Sequence, residues 1–365
     1  MNPRRRPPRS RRAFAGTTGI GQRFLAEFGD AIEPRTAALV AGVLVLQLGF
    51  ILSYVGAFHA PTAHRIPVAV VAAAPIAQTL VERLNGLAGQ PLDAAPVASR
   101  ARATALLRSG SISAALIVNT SGTTDRLLVA SGGGVSVASA AEQIAGRLES
   151  AQRRQLVVAD TVPLQAGDGR GLTGFYLVIG WIVGGYLVAS LLGIAKGSRP
   201  ATRRRALIRL IAVIPYSILS GLGGALIVDQ WLGALTGHFV ALWWLGALLV
   251  FGAMAVTMAF QILLGVAGIG LTVLVFVVLG NPSAGGAYQA DLLPSFWRAL
   301  SDALPNGAGT DTVRRIVYFG SHGIATHLVV LAAYAAGGVA VALAASRINE
   351  RRRRTHGAAL AGTDA

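Results

Sequence analysis

Long apolar runs alternate with short polar breaks over most of the chain. Six runs, at residues 37–58, 172–194, 210–228, 239–260, 262–280 and 325–345, carry almost no charge. A helix of about 20 apolar residues spans the hydrocarbon of a bilayer, and each run approaches that length. Six membrane-spanning helices are therefore predicted. Pro215 sits near the start of the third run and predicts a kink. Gly180, Gly184 and Gly185 give the second a small-residue face for close helix contact. Gln261 is the polar break before the fifth run and marks a tight turn there.

Residues 59–171 follow a different pattern, with short β-branched runs between amphipathic stretches. Strands are predicted over 66–71, 113–118 and 126–130, and helices over 76–87, 101–107 and 139–155. The fold class expected is a polytopic α-helical membrane protein with an α+β domain inserted between its first two spanning helices.

The fifth run breaks at Asn281-Pro282-Ser283-Ala284-Gly285-Gly286, a cluster of turn formers. Pro294 and Pro305 then bracket a short segment whose Phe296, Trp297, Leu300 and Leu304 are expected to share one helical face. A second short helix is expected from Thr310 as N-cap, with Val313, Ile316 and Val317 apolar. Residues 281–324 thus read as a structured segment at the membrane surface, either an amphipathic stretch resting there or, as a family resemblance given below implies, a hydrophobic lid with Pro294, Phe296, Trp297, Leu300 and Pro305 as its candidate gate residues.

Composition agrees with a membrane protein: 53% of residues are hydrophobic, 13% are charged and the mean hydropathy is +0.58. An ordinary soluble protein has about 25% charged residues. The net charge of +16 changes the picture more through its placement than its size. Segments 1–36, 195–209 and 346–365 hold fourteen of those net charges, and Lys and Arg resist translocation. This puts both termini and the 195–209 loop in the cytoplasm, and residues 59–171 and 281–324 outside. The basic excess reports orientation and contact with anionic lipid rather than nucleic acid. Within segment 1–36, Ile20, Phe24, Leu25, Phe28 and Ile32 form one stripe, which predicts an interfacial helix.

Candidate chemistry is sparse. The chain has no cysteine and no Gly-x-x-x-x-Gly-Lys-Ser/Thr, so neither thiolate metal binding nor a phosphate-cradling loop is available. Gly221-Leu222-Gly223-Gly224 lies inside a span, where helix packing accounts for it. The histidines show no i, i+4 ligand pairing. No nucleophile elbow or paired intramembrane carboxylates are present, so neither an enzyme nor a cofactor is expected. Gln47, Ser53, Tyr186, Tyr216, Ser217 and Thr257 are the main polar residues within the spans. Intramembrane polar groups are pathway candidates, here chiefly Gln47, Tyr186 and Tyr216, or else they serve interhelical contact.

The stretch "VLGNPSAGGAYQADLLPSFWRALSDALPNG" resembles the segment before the last helix in the YhgE/Pip (phage infection protein) family and related ABC type-2 exporter permeases. There a span ends in Ser-Gly-Gly, followed by Pro and aromatic residues and then Leu-Pro; here Ala284 interrupts the first element. The order strand, helix, helix and "RSGSISAALIV" strand is similar to the domain after the first span of those permeases, although Ala72-Ala73-Ala74-Pro75 stands where they commonly carry an Asp-containing turn. The resemblance implies the permease subunit of an exporter, and a pathway lined by the uncharged polar residues above would suit an amphipathic or lipid-like cargo more than an ion. Such a subunit works as a homodimer, or as a heterodimer with a similar permease, and is driven by a separate ATPase. That ATPase would dock on the Phe24/Phe28 stripe and on Arg203, Arg204 and Arg205. The alternative is a non-transporting membrane-anchored interaction or receptor protein of the phage-infection type, acting through its outer domain.

Overall fold

A computed structural model describes residues 34–200 and 202–361. The stripe carrying Phe24 and Phe28 lies outside the described residues.

The chain is mostly helical. Among the described residues five helices are long and apolar enough to cross a membrane: Thr36–Phe58 within α1 (Pro34–Phe58), α5 (Thr173–Lys196), Arg203–Trp231, α8 (Phe239–Leu264) and Ala325–Arg353 within α12 (Ala325–Ala361). The run expected as a fifth span differs from the sequence reading. α8 continues through Gln261 to Leu264, and the turn falls at Gly265, whose φ of +66° suits glycine. The remaining apolar helix, α9 (Ala267–Ser283), is shorter than the other five. Gln261 fails to break the helix because its side chain is buried where Gly193 of α5 has no Cβ; a methyl there would collide with the Gln261 amide.

The third span is two helices in sequence, α6 (Arg203–Ala212) and α7 (Ile214–Ala225), the latter prolonged by a π-helical turn over Leu226–Trp231. Pro215 occupies the first turn of α7, where its missing N–H costs nothing. Residues 203–209, expected as loop, are already helical. Thr202 caps them by accepting from Arg205 N, and Arg209 donates to the carbonyls of Lys196 and Gly197 at 2.7 and 2.8 Å.

α8 is the buried centre of this layer, and α5, α7 and α12 pack around it. The close approach of α7 depends on Gly221, where a Cβ would lie 2.5 Å from Trp243 O and Ala247 N. Two indoles hold α7 to its neighbours: Trp243 Nε1 of α8 donates to Ile218 O, and Trp181 Nε1 of α5 donates to Ser220 O. Without a hydrophobic driving force inside lipid, such tight packing and interhelical hydrogen bonds hold helices together.

Between α1 and α5 the chain builds a five-stranded sheet, with elements β1 (Ile66–Val71), α2 (Ala74–Asn85), β2 (Leu92–Pro96), α3 (Arg100–Arg108), β3 (Ala114–Ile117), β4 (Thr124–Val129), α4 (Val135–Ala151) and β5 (Gln155–Asp160). The strand order is β2-β1-β3-β4-β5, and only β3–β4 is antiparallel. The expected α+β domain is thus an α/β unit with a mixed sheet. Two strands escape the sequence pattern. β2, Leu-Asp-Ala-Ala-Pro, has no β-branched residue, and it is held partly by Asn85, whose amide both donates to and accepts from Ala94. β5 begins at Gln155, where the helical period was expected to end; α4 stops at Ala151 and Arg153 turns with φ +56°.

The pleat sends alternate residues to opposite faces. Ile66, Val68, Val70, Leu116 and Leu127 pack on one side with Leu84 of α2 and Ala141 of α4. Ala69, Ala115 and Leu128 pack on the other with Leu107 of α3 and with Phe319, which comes from the membrane-side elements.

Before α12 the chain forms α10 (Ser295–Ala303) and α11 (Pro305–Tyr318). Thr310 is not an N-cap. α11 starts at Pro305, after Leu304 in the extended conformation that a following proline imposes, and the buried Thr310 hydroxyl donates to Asn306 O at 2.8 Å within the helix.

Candidate functional site

The residues of the expected lid meet the spanning helices and the sheet unit, and each contact has a local cause. α9 contains a π-helical turn, Leu274–Leu279, and such turns displace carbonyls from the α-helical pattern. Within it the Phe276 carbonyl accepts from Asn306 Nδ2 at 3.0 Å, and the same nitrogen donates to Asn281 Oδ1 at 3.0 Å. The first turn of α11 is thereby fastened to the end of α9. Farther along, Gly309 lies against Leu249 and Val178, and Val313 lies against Gly174, which seats α11 on α8 and α5.

The gate candidates do not share one face. Trp297 is buried with Ala57 and Leu293, whereas Phe296 is 58% exposed. Adjacent helical residues point about 100° apart, so the two rings meet only edge to face, with centroids 5.0 Å apart. Leu300 is half-buried beside Trp297; Leu304 is buried but lies past the end of α10. Pro294 is the residue preceding α10 and Pro305 opens α11.

The other neighbour is the sheet unit. Tyr318 Oη donates to Asp168 Oδ2 at 2.7 Å, and Asp168 Oδ1 accepts from Thr173 N and Oγ1 at the start of α5. Burial and the Asp168 carboxylate push the Tyr318 phenol up. The Ser131-Gly132-Gly133-Gly134 turn, which leads into α4, receives the Tyr318 and Phe319 rings and the Gln289 side chain in the space that Cβ atoms would take. At Gly134 φ is also +152°, so a side chain there is excluded twice. Ser136 Oγ donates to Ala287 O at 2.7 Å.

A polar cavity of about 340 Å³ lies at this junction, between Gly133 and Gly134 and the lid residues Asp291, Asp302 and Asp311. Asp311 approaches Arg315 Nε at 2.6 Å, His327 Nε2 at 3.2 Å and Arg314 Nη1 at 3.6 Å. Burial would raise its pKa, but the two guanidiniums and the imidazole prevail and hold it below the usual carboxylate value. Asp291 has no such escort: burial pushes it up to about 6 against the weaker pull of Arg298. Among the described residues no three His, Asp or Glu side chains converge as a metal site. This arrangement can hold water and polar groups, and it ties the sheet unit mechanically to the lid.

The other sequence candidates are not gathered into that site. Arg203, Arg204 and Arg205 are exposed together on the first turn of α6, where Arg203 N donates to Glu350 Oε2. Gln47 is exposed on α1, Tyr186 is half-buried on α5 against the bundle core, and Tyr216 is 37% exposed on α7. The hydroxyls of Ser53, Ser217 and Thr257 donate to carbonyls of their own helices. Missed by the sequence reading are Asn306 and the Asp168–Tyr318 pair. Asn306, directly after Leu-Pro at a helix start, carried a local signal; a pairing 150 residues apart carried none.

Compared with known proteins, the chain matches no family model, no curated protein and no solved structure.

Proposed function

We propose that this chain is the membrane permease subunit of an ABC-type exporter, moving an amphipathic or lipid-like cargo outward with energy from a separate ATPase. In this reading the sheet unit is extracytoplasmic, both termini are cytoplasmic, and the subunit pairs with itself or a similar permease. The observation that carries it is the pair α10–α11. It is wedged against α5, α8 and α9 and fastened to the sheet unit through Tyr318 and Asp168. A helix pair so connected would transmit a shift of the spanning helices to the outer surface. α6 offers the partner surface: Arg203, Arg204 and Arg205 stand beside the exposed Leu207 and Ile208.

Two measurements test this reading. Because the chain lacks cysteine, Ser121→Cys and Ser198→Cys can be labelled singly in intact cells; an impermeant thiol reagent is expected to reach only the former. The tagged full chain, purified from its own membranes, should bring down an ATPase with a phosphate-binding loop in stoichiometric amount, and Ile208→Asp should release it from a folded protein. Labelling of Ser198→Cys from outside would overturn the topology. The absence of any such ATPase would overturn the permease assignment and favour the receptor reading.

A further inference from the structure

Away from the lid, a cleft of about 530 Å³ opens in the sheet unit between α2, the β3–β4 connection and the C-terminal end of α4. Its floor holds two carboxylates and one guanidinium. Asp125, with its side chain 2% exposed, is fully provided for. Arg154 donates to it from Nε and Nη2 at 2.6 Å each, and Asn119 N donates at 2.7 Å. Glu149 is not. Its side chain is 4% exposed, Oε2 has no hydrogen-bond partner, and the nearest cation, Arg154 Nε at 3.5 Å, is already given to Asp125. The floor is therefore one positive charge short, and a buried carboxylate without a partner is costly. The walls are of other kinds. Ile76, Leu80 and Val118 form an apolar side, with Ile76 43% exposed, and Arg83 stands exposed at the rim with no ion pair among the described residues.

We propose that this cleft binds a zwitterion with an apolar side chain, an α-amino acid of the leucine type. Its ammonium pairs with Glu149, its carboxylate with Arg83, and its side chain lies against Ile76, Leu80 and Val118. Each part of the ligand answers something the cleft leaves open. The ammonium supplies the missing charge and the donor that Oε2 lacks. A simple alkylamine would meet repulsion from Arg83, which the carboxylate of an amino acid turns into attraction. Charge-assisted hydrogen bonds of this type are the stronger ones, and the apolar wall adds contact area.

In the empty cleft a proton supplies the missing charge. Burial, then the hydrogen bond and charge of Asp125, push Glu149 up to about 7 against the opposing pull of Arg154 and Arg83. Ligand and proton compete for the same carboxylate, so binding should weaken roughly tenfold between pH 8 and pH 6.

The test is calorimetric titration of the full-length chain in detergent with L-leucine, leucinamide, which lacks the carboxylate, and N-acetyl-leucine, which lacks the ammonium. At pH 8 leucine should bind saturably. Either analogue should bind at least about tenfold more weakly, as should leucine to Arg83→Ala or Glu149→Gln. Arg83 is exposed, so its variant tests the site even where Glu149→Gln proves unstable. Absence of saturable leucine binding up to about 10 mM would overturn the proposal, as would N-acetyl-leucine binding equal to that of leucine or Arg83→Ala binding as wild type does.

Discussion

Trp297→Ala will destabilise the purified protein by about 3 kcal/mol, whereas Phe296→Ala, one residue earlier, will stay within about 0.5 kcal/mol of wild type. The contrast follows from burial alone. Trp297 fills the space between Ala57, Leu293 and Leu300, and truncation leaves a cavity that the flanking helices cannot close without shifting. Phe296 points away and loses little contact on truncation. Gly56 makes the assignment more specific: its Cβ position lies 3.8 Å from the Trp297 indole nitrogen, so the last turn of α1 leans on this ring. Under the permease reading, loosening that contact frees the lid, and basal leak of cargo should rise for Trp297→Ala alone. Thermal unfolding in detergent separates the two variants. Equal losses for both, or a loss for Trp297→Ala below about 0.5 kcal/mol, would show that the ring does not anchor α10.

The two adjacent aromatics also show what the sequence can and cannot reveal. Amphipathic spacing placed a short helix between Pro294 and Pro305, and the helix is there. Which of Phe296 and Trp297 turns inward depends on where α1 ends, and nothing local encodes that. The same division runs through the chain. Apolar runs are legible because a span must be apolar along its whole length, and five of the six correspond to long apolar helices. The remaining run, 262–280, forms the shorter apolar helix α9, which starts later than the run does because hydropathy ignores backbone conformation: the positive φ of Gly265, not the polarity of Gln261, ends α8. In the sheet unit β1 stands out through its β-branched residues, while β2 exists only because β1 offers an edge and Asn85 holds Ala94. Single polar residues in apolar runs attract notice, yet Ser53 and Thr257 turn back on their own helices, and only Ser217 also reaches a neighbour, Met254 Sδ of α8 at 3.6 Å. The groups with unmet needs, Glu149 above all, are ordinary helix residues until the fold removes their water.

Asp125→Ala will cost about 2 kcal/mol, because removing the carboxylate leaves the Asn119 N–H it accepts from without an acceptor. The Asp125 carboxylate accepts from Arg154 and from Asn119 N; its loss leaves the Asn119 backbone donor without its acceptor in the β3–β4 connection, while Arg154 keeps Glu149 within reach. The variant also has a signature in pH. In the wild type, burial raises the Asp125 pKa, but the bonds from Arg154 and Asn119 outweigh it and the carboxyl is held below its ordinary value. Its contribution is present above the unfolded pKa and is lost in acid. Glu149 behaves oppositely. With its pKa raised to about 7, its contribution is complete below the unfolded value near 4.5 and is lost as pH rises through 7. Stability of the sheet unit should therefore be greatest near pH 5 and fall toward pH 8. Glu149→Gln, which cannot ionise, should flatten that alkaline decline. Asp125→Ala should flatten it too, for another reason: Arg154 is released to pair with Glu149, whose carboxylate then needs no proton. Melting curves of the three proteins at pH 5 and pH 8 distinguish the outcomes. A decline of wild-type slope in Glu149→Gln would mean that another group titrates, and a steeper decline in Asp125→Ala would mean that Arg154 does not reach Glu149.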